Sequence, residues 1–215
     1  TPLPIEFDSW LAGQAELLPR HFARALARAG VERHGLAPTL GAFRLLGEEA
    51  GEIAGVSVER YGDHALLVLS SEQAAAHELE MADCLMDHGA AGVYVKRRVR
   101  ADLRGIDPAV LAPRHPLRGE PAPDPLALEM TGFRCSVRLG DGLATGLFLD
   151  QRANWNRVLD WSHGVSFLNL FAYTGAFTLA AAAGGAAATT SVDLAGRALA
   201  RLGQYAEAAE YAVRG

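Results

Sequence analysis

The chain has 215 residues, is 50% hydrophobic and 21% charged, and has a mean hydropathy of +0.08. That balance excludes a disordered or collagen-like polymer and supplies material for a real core. The formal charge of −5 excludes attraction to a phosphate backbone by the whole-molecule field, so any nucleic-acid surface must be local.

The first ten residues, TPLPIEFDSW, lack the basic and apolar regions of a secretory signal, which makes the cytoplasm the expected compartment. Residues 167–183 are the most apolar stretch, but Asn169, Tyr173, Thr174, Gly175 and Thr178 interrupt it, so no membrane span is expected. Cys84 and Cys135 have no CxxC spacing and read as buried thiols. None of the histidines stands at HxxxH or HExxH spacing, so no metal built from local motifs is expected.

In chain order, residues 7–35 repeat apolar positions near helical spacing (Trp10, Leu11, Leu17, Leu18, Phe22, Leu26, Val31), with Asp8 or Ser9 able to cap the first turn. Arg20, Arg24, Arg28 and Arg33 fall near one face and read as a solvated surface. Short β-prone pieces follow at residues 42–46, 57–60 and 65–70, separated by turns at Gly47, Gly51, Gly55 and Tyr61-Gly62-Asp63. Residues 71–88 read as one helix through Ala75, Leu79, Ala82, Leu85 and Met86, ended by Gly89 or Gly92 before a strand at residues 92–97. Together residues 38–106 form an expected α+β domain suited to substrate recognition, after an N-terminal helical segment, residues 1–37.

This domain ends in a basic cluster, Lys96, Arg97, Arg98, Arg100 and Arg104, beside Tyr94. One reading is a phosphate-contacting edge with a stacking aromatic for RNA. The other is solvated charge that keeps an edge strand from aggregating.

Six of the ten prolines lie between Asp107 and Pro125, which predicts an irregular linker over residues 107–128. Gly140-Asp141-Gly142 then predicts the turn of a β-hairpin with strands at residues 129–139 and 143–149. From residue 165 the pattern is strand, loop, helix, strand, helix (165–171, 172–175, 176–183, 187–192, 194–211), the opening of a parallel α/β sheet. The alanine-rich residues 180–188 read as a helix packed closely on that sheet.

Ligands of open α/β sheets bind outside the carboxyl ends of the strands. The loop after the first of these strands, with the helix amino terminus beyond it, faces that crevice, and Gly175 would let backbone approach a bound molecule. About twenty residues later a second strand ends at Ser191-Val192-Asp193, where a carboxylate can accept both hydroxyls of a ribose or can cap the next helix. No GxGxxG is present, and Phe171 and Tyr173 stand where a dinucleotide site would want glycine, so a ligand without a diphosphate fits better.

The segment Asn169-Leu170-Phe171-Ala172-Tyr173-Thr174-Gly175-Ala176-Phe177, preceded by Thr145-Gly146-Leu147-Phe148-Leu149-Asp150-Gln151-Arg152, resembles the class I S-adenosylmethionine-dependent methyltransferases of large-subunit ribosomal RNA. Ser191-Val192-Asp193-Leu194 and the Gly140-Asp141-Gly142 turn share the resemblance, as do, more loosely, residues 42–45 and 58–63. The resemblance implies a Rossmann-like α/β fold preceded by the smaller α+β domain and a β-hairpin. It implies S-adenosylmethionine as cofactor, held by Asn169, by Phe171, Ala172, Tyr173, Thr174 and Gly175, by Asp193 at the ribose, and by Asp150, Gln151 and Arg152 beside it. Independently of the family, Arg152 could bind a carboxylate, or pair with Asp150 or a helix end.

Residues 1–37 do not resemble the PUA domain with which such enzymes usually begin. Residues 52–55 depart from a Gly-Leu-Pro-Gly-like turn. A class I sheet has seven strands, of which the residues after Val165 supply two, so the fold as written is expected to be incomplete. An Asp-Pro-Pro-like motif and an acidic adenine-binding residue are not found, and neither cysteine matches the family's nucleophile motif.

The expected function is methyl transfer to a base of ribosomal RNA, cytosine before guanine, by a base displaced from its stack. The alternatives are a non-catalytic RNA-binding module retaining part of the fold, and a dinucleotide oxidoreductase, against which Phe171 and Tyr173 speak. Ribosomal RNA is the expected partner, with no membrane and no metal, and a homodimer is left open.

Overall fold

The computed structural model describes residues 18–29, 41–47, 53–99 and 107–208. The chain divides into two units. The first holds residues 43–122 and 140–143 together with the helix at residues 18–29, and the second holds residues 41–42, 123–139 and 144 onward.

The first unit is built on a five-stranded sheet in the order β1 (Ala42–Leu46), β2 (Val56–Tyr61), β3 (His64–Leu69), β4 (Gly92–Arg97), β5 (Arg118–Gly119). β2 and β3 are antiparallel across the tight turn at Gly62, whose φ of 56° suits glycine. β3 and β4 are parallel, Leu67 opposite Val95, and need the crossover that α2 (Glu72–Ala75) and α3 (Glu78–Asp87) supply. Residues 18–29 are helical (α1) and contribute Phe22 and Leu26 to a core with Val58, Leu67, Leu69, Met81, Leu85, Val93 and Val95.

The single helix expected over residues 71–88 is two. Ser71 caps the first through its hydroxyl, which accepts from Ala74 N–H at 3.1 Å, and the chain turns at Ala76 before restarting at Glu78. The proline-rich stretch is more ordered than its composition predicts. α4 (Pro108–Leu111) forms there, β5 pairs antiparallel with β4 through Val93 and Arg118, and β6 begins at Leu126. Proline forbids only the amide donor of its own residue, and these elements bond through the residues between the prolines.

The second unit opens with a hairpin of β6 (Leu126–Met130) and β7 (Phe133–Val137) turning at Thr131-Gly132. This corrects the expected hairpin, since residues 140–142 turn the chain but residues 143–148 form no strand against β7. A 3-10 turn (Leu149–Gln151) leads into α5 (Arg152–Trp161), a helix the sequence reading missed, and then β8 (Ser166–Leu170), α6 (Ala176–Ala183), β9 (Ala188–Val192) and α7 (Gly196–Ala208) follow. β8 and β9 are parallel, Asn169 opposite Ser191, as expected of the first two strands of a Rossmann-like sheet.

Trp155 anchors this unit. It is buried, edge-on to Phe133 at 5.8 Å and to Phe177 at 6.5 Å, and so ties α5 to the hairpin and to α6. The alanines of α6 let helices approach closely, and a Cβ on Gly184 would lie 2.1 Å from Leu159 O of α5. The β8–β9 pair inverts the usual polarity. Asn169, Thr189 and Ser191 are buried, while Leu168, Leu170 and Val192 are each half exposed or more.

Candidate functional site: a cleft at the ends of two parallel strands

Asn169 Nδ2 donates to Thr178 Oγ1 at 2.8 Å, and Thr178 Oγ1 shares a 2.8 Å hydrogen bond with Ser191 Oγ. This buried chain joins β8, α6 and β9 and satisfies groups whose isolation would be costly. The Asn169 side-chain N–H is thus used within the strand–helix contact.

The loop after β8 is held in an uncommon conformation. Phe171 and Tyr173 have φ of 58° and 52°, the left-handed region that favours glycine, and Gly175 follows at 78°. Four bonds hold it. Ala172 N–H donates to Val192 O at 3.1 Å, Tyr173 N–H to Asp193 Oδ2 at 2.8 Å, Gly175 N–H to Ala172 O at 2.8 Å, and the Thr174 hydroxyl to Gly146 O. Backbone strain of this kind collects at functional loops that their surroundings over-determine.

Gly175 is needed for a reason other than the one expected. A Cβ there would sit 2.3 Å from Leu202 Cδ1 on α7, so the close approach is to a core side chain rather than to a ligand.

Asp193 caps the start of the next helix, one of the two readings of its sequence position, and also holds the loop after β8. Its Oδ1 accepts Ala195 N–H at 2.7 Å at the start of α7, and its Oδ2 accepts Tyr173 N–H. These two N–H groups, Ala195 first, hold its carboxyl below the usual carboxylate range. The side chain remains partly exposed, and each oxygen has capacity for a second bond from a hydroxyl.

Beside the loop lies an open cleft of about 80 Å³, lined by Gly146, Phe148, Gln151 and Trp155 together with Phe171, Ala172, Tyr173, Thr174, Ala176 and Phe177. The Phe148 and Tyr173 rings meet at 5.5 Å, tilted by 48°. Burial pushes the Tyr173 hydroxyl up from its ordinary value, so it stays protonated. The cleft thus gathers Gln151, Phe171, Ala172, Tyr173 and Thr174 from the expected set. It adds Phe148, Trp155 and Phe177, which the sequence reading did not assign. Trp155 follows Gln151 by one helical turn, a spacing that would have pointed to it once α5 was recognised.

Asp150 is exposed and accepts Gln151 Nε2 at 2.9 Å. Arg152 does not line the cleft. Its guanidinium donates to Ala42 O, and burial lowers its pKa. The guanidinium thus holds the first residue of β1 through Nη2, while its Nη1 is buried without a hydrogen-bond partner.

The basic edge is corrected in its first member. Lys96 is fully buried, and its Nζ donates to Gly142 O. Arg97 is held at both ends of its guanidinium by Glu78, at 2.7 and 2.6 Å, and also donates to Val110 O. Arg98 is exposed and donates to Leu143 O at 2.8 Å. Arg100 and Arg104 lie outside the described residues.

Neither thiol is poised for nucleophilic work at neutral pH. Burial pushes Cys135 up to about 12, and burial with the nearby Asp87 charge raises Cys84, which is half-buried. Among the described residues no group of three or more His, Cys, Asp or Glu is placed to hold a metal, and no helix is long and apolar enough to cross a membrane.

The sequence model of the S-adenosylmethionine-dependent methyltransferases matches residues 112–208, the stretch that contains the cleft, its loop and Asp193. It is by these residues that the chain matches that methyltransferase family. A relative from Shewanella amazonensis, named ribosomal RNA large subunit methyltransferase I, is 32% identical over 199 residues, which is 91% of this chain and 50% of the relative. Among solved structures, a protein from Streptococcus mutans described as a SAM-dependent methyltransferase superposes with a TM-score of 0.79 at 31% identity, over 91% of this chain and 50% of that one. The protein SMU.776, solved in complex with SAH, gives the same TM-score and identity, over 92% of this chain and 50% of that one. The chain spans about half the length of the curated methyltransferase relatives it matches.

Proposed function

We propose that this chain binds S-adenosylmethionine across the carboxyl ends of β8 and β9 and serves in methyl transfer to a base of large-subunit ribosomal RNA. The observation that carries the reading is Asp193, which fixes the strained Phe171–Gly175 loop through Tyr173 N–H while keeping a partly exposed carboxylate at the end of β9. A carboxylate there suits the paired hydroxyls of a ribose, and the aromatic positions at Phe171 and Tyr173 leave no glycine path for a diphosphate. The relative named as a large-subunit methyltransferase and the neighbour solved with SAH support the substrate and the cofactor.

In this reading Phe171, Ala172, Tyr173 and Thr174 cradle the cofactor, Gln151 contacts it in the same cleft, and Asp193 accepts from its sugar. Asp150 and Gly175 shape the site without entering it. When bound, the cofactor supplies the methyl group from its sulfonium, and the chain supplies orientation and exclusion of water. Cytosine is the favoured base. The RNA contact rests on exposed Arg98 rather than on Lys96.

Isothermal titration tests the reading. S-adenosylhomocysteine binds the folded chain, and Asp193→Ala weakens that binding by about ten- to a hundredfold through the loss of charged hydrogen bonds. A folded sample with no measurable binding overturns the proposal in favour of a non-catalytic module.

A further inference from the structure

Gln151 is the uncharged polar side chain that the 3-10 turn before α5 presents to an otherwise largely apolar cleft, and its amide is held from two sides. Its Nε2 donates to Asp150 Oδ2 at 2.9 Å, and its Oε1 accepts from Asn154 Nδ2 at 3.0 Å. Asn154 Oδ1 in turn faces Arg157 Nη1 at 3.5 Å. The ends of this chain dictate its direction. A guanidinium only donates and an ionised carboxylate only accepts, so both amides between them have one orientation that satisfies every link. Swapping oxygen and nitrogen at Gln151 would set its oxygen against the Asp150 carboxylate.

We infer that Asn154 is a positioning residue, which with Asp150 locks Gln151 so that its remaining N–H and oxygen lone pair meet the amino-acid arm of the cofactor. This rests on the reading of the cleft as the S-adenosylmethionine site. A primary amide offers a donor to the arm's carboxylate and an acceptor to its ammonium, which matches a zwitterion. The cleft volume of about 80 Å³ agrees, since it admits a short arm while the nucleoside lies over the open strand ends beside Asp193. Holding an amide in one orientation before the ligand arrives reduces the ordering cost of binding.

The test is isothermal titration of two ligands into the full chain. S-adenosylhomocysteine carries the amino-acid arm, and 5′-methylthioadenosine lacks it. The native chain binds the first more tightly than the second. Asn154→Ala weakens S-adenosylhomocysteine by about three- to tenfold, the loss of one positioning hydrogen bond, and leaves 5′-methylthioadenosine within about twofold. Asn154→Asp weakens S-adenosylhomocysteine more than Asn154→Ala does, because it places an acceptor against Gln151 Oε1. Circular dichroism of each variant keeps folding apart from binding, and both substitutions are on the exposed side of α5. Equal losses of both ligands, or none, overturn the positioning role. Equal affinity of the native chain for the two ligands overturns the arm assignment, and binding of neither overturns the cofactor reading beneath it.

Discussion

The Asp193 carboxylate, at the end of the second parallel strand, accepts the backbone N–H of Tyr173 in the loop that follows the first strand, at 2.8 Å. The sheet therefore fixes the loop after β8 by a side chain, and charge at one position controls conformation at another. Because the Ala195 and Tyr173 N–H groups lower the Asp193 pKa, the carboxylate's contribution to stability is complete above its ordinary value of 3.8 and is lost as pH falls through its lower folded value. In Asp193→Asn the acid-side loss of stability between those two pKa values is smaller than in the native chain, as read by thermal unfolding across pH 2–5.

The buried Asn169–Thr178–Ser191 chain carries stability rather than binding. Thr178→Val keeps the shape of the side chain but leaves Asn169 Nδ2 and Ser191 Oγ without their partner. Urea unfolding should show a loss of about 1–3 kcal/mol. The affinity for S-adenosylhomocysteine, measured on folded protein, should change by less than about twofold, because none of the three residues lines the cleft.

Gly175→Ala meets two obstacles at once, a φ of 78° and a Leu202 methyl 2.3 Å from the new Cβ. The expected loss is about 2–3 kcal/mol by the same measurement. Leu202→Ala in the same chain removes the contact but not the backbone strain, so the double variant recovers part of the Gly175→Ala cost relative to Leu202→Ala alone, a coupling that a double-mutant cycle reads.

Lys96 predicts a pH dependence of opposite range. Burial, and then the charge of Arg98, lower its pKa from 10.5 to about 8. The folded state thus binds fewer protons than the unfolded state between those values, and stability rises with pH across that window. The stability advantage associated with Lys96 is present above 10.5 and disappears as pH falls through about 8. The difference in unfolding free energy between the native chain and Lys96→Met should shift in favour of the native chain by on the order of 1–3 kcal/mol between pH 8 and 10.5.

Elements with strong local signals were legible in the sequence. β1 and β4 span the expected residues 42–46 and 92–97, and α6 spans the expected 176–183, because short β-prone runs bounded by glycine and an alanine-rich run carry their signal locally. α5 was missed although Trp155, Val158 and Leu159 follow helical spacing, because its sequence is otherwise polar and Trp155 is its one buried residue. The hairpin turn was placed at Gly140-Asp141-Gly142, although Thr131-Gly132 closes the pairing of Leu128 with Cys135 and Met130 with Phe133. Register there is decided by the inward-facing set Leu128, Met130, Phe133 and Cys135 rather than by the strongest turn dipeptide.

The cleft was legible in its loop and its acidic partner and less so in its walls. Phe171 and Tyr173 were recognised as residues at glycine positions, and their positive φ angles give the physical meaning of that substitution. Asn169, Arg152 and Lys96 each have partners within the chain that the sequence did not disclose. Polar side chains at motif positions can satisfy backbone and core partners instead of a ligand, and their direction depends on tertiary contacts that a linear pattern does not contain.

Lys96 is the chain's one lysine, and its amine is enclosed against Gly142 O. Amine-directed reagents such as activated esters therefore find no accessible lysine side chain on the native fold. Acylation of that residue becomes a clock for the opening of the first sheet, and mass spectrometry of labelled peptides would time the event without any engineered probe.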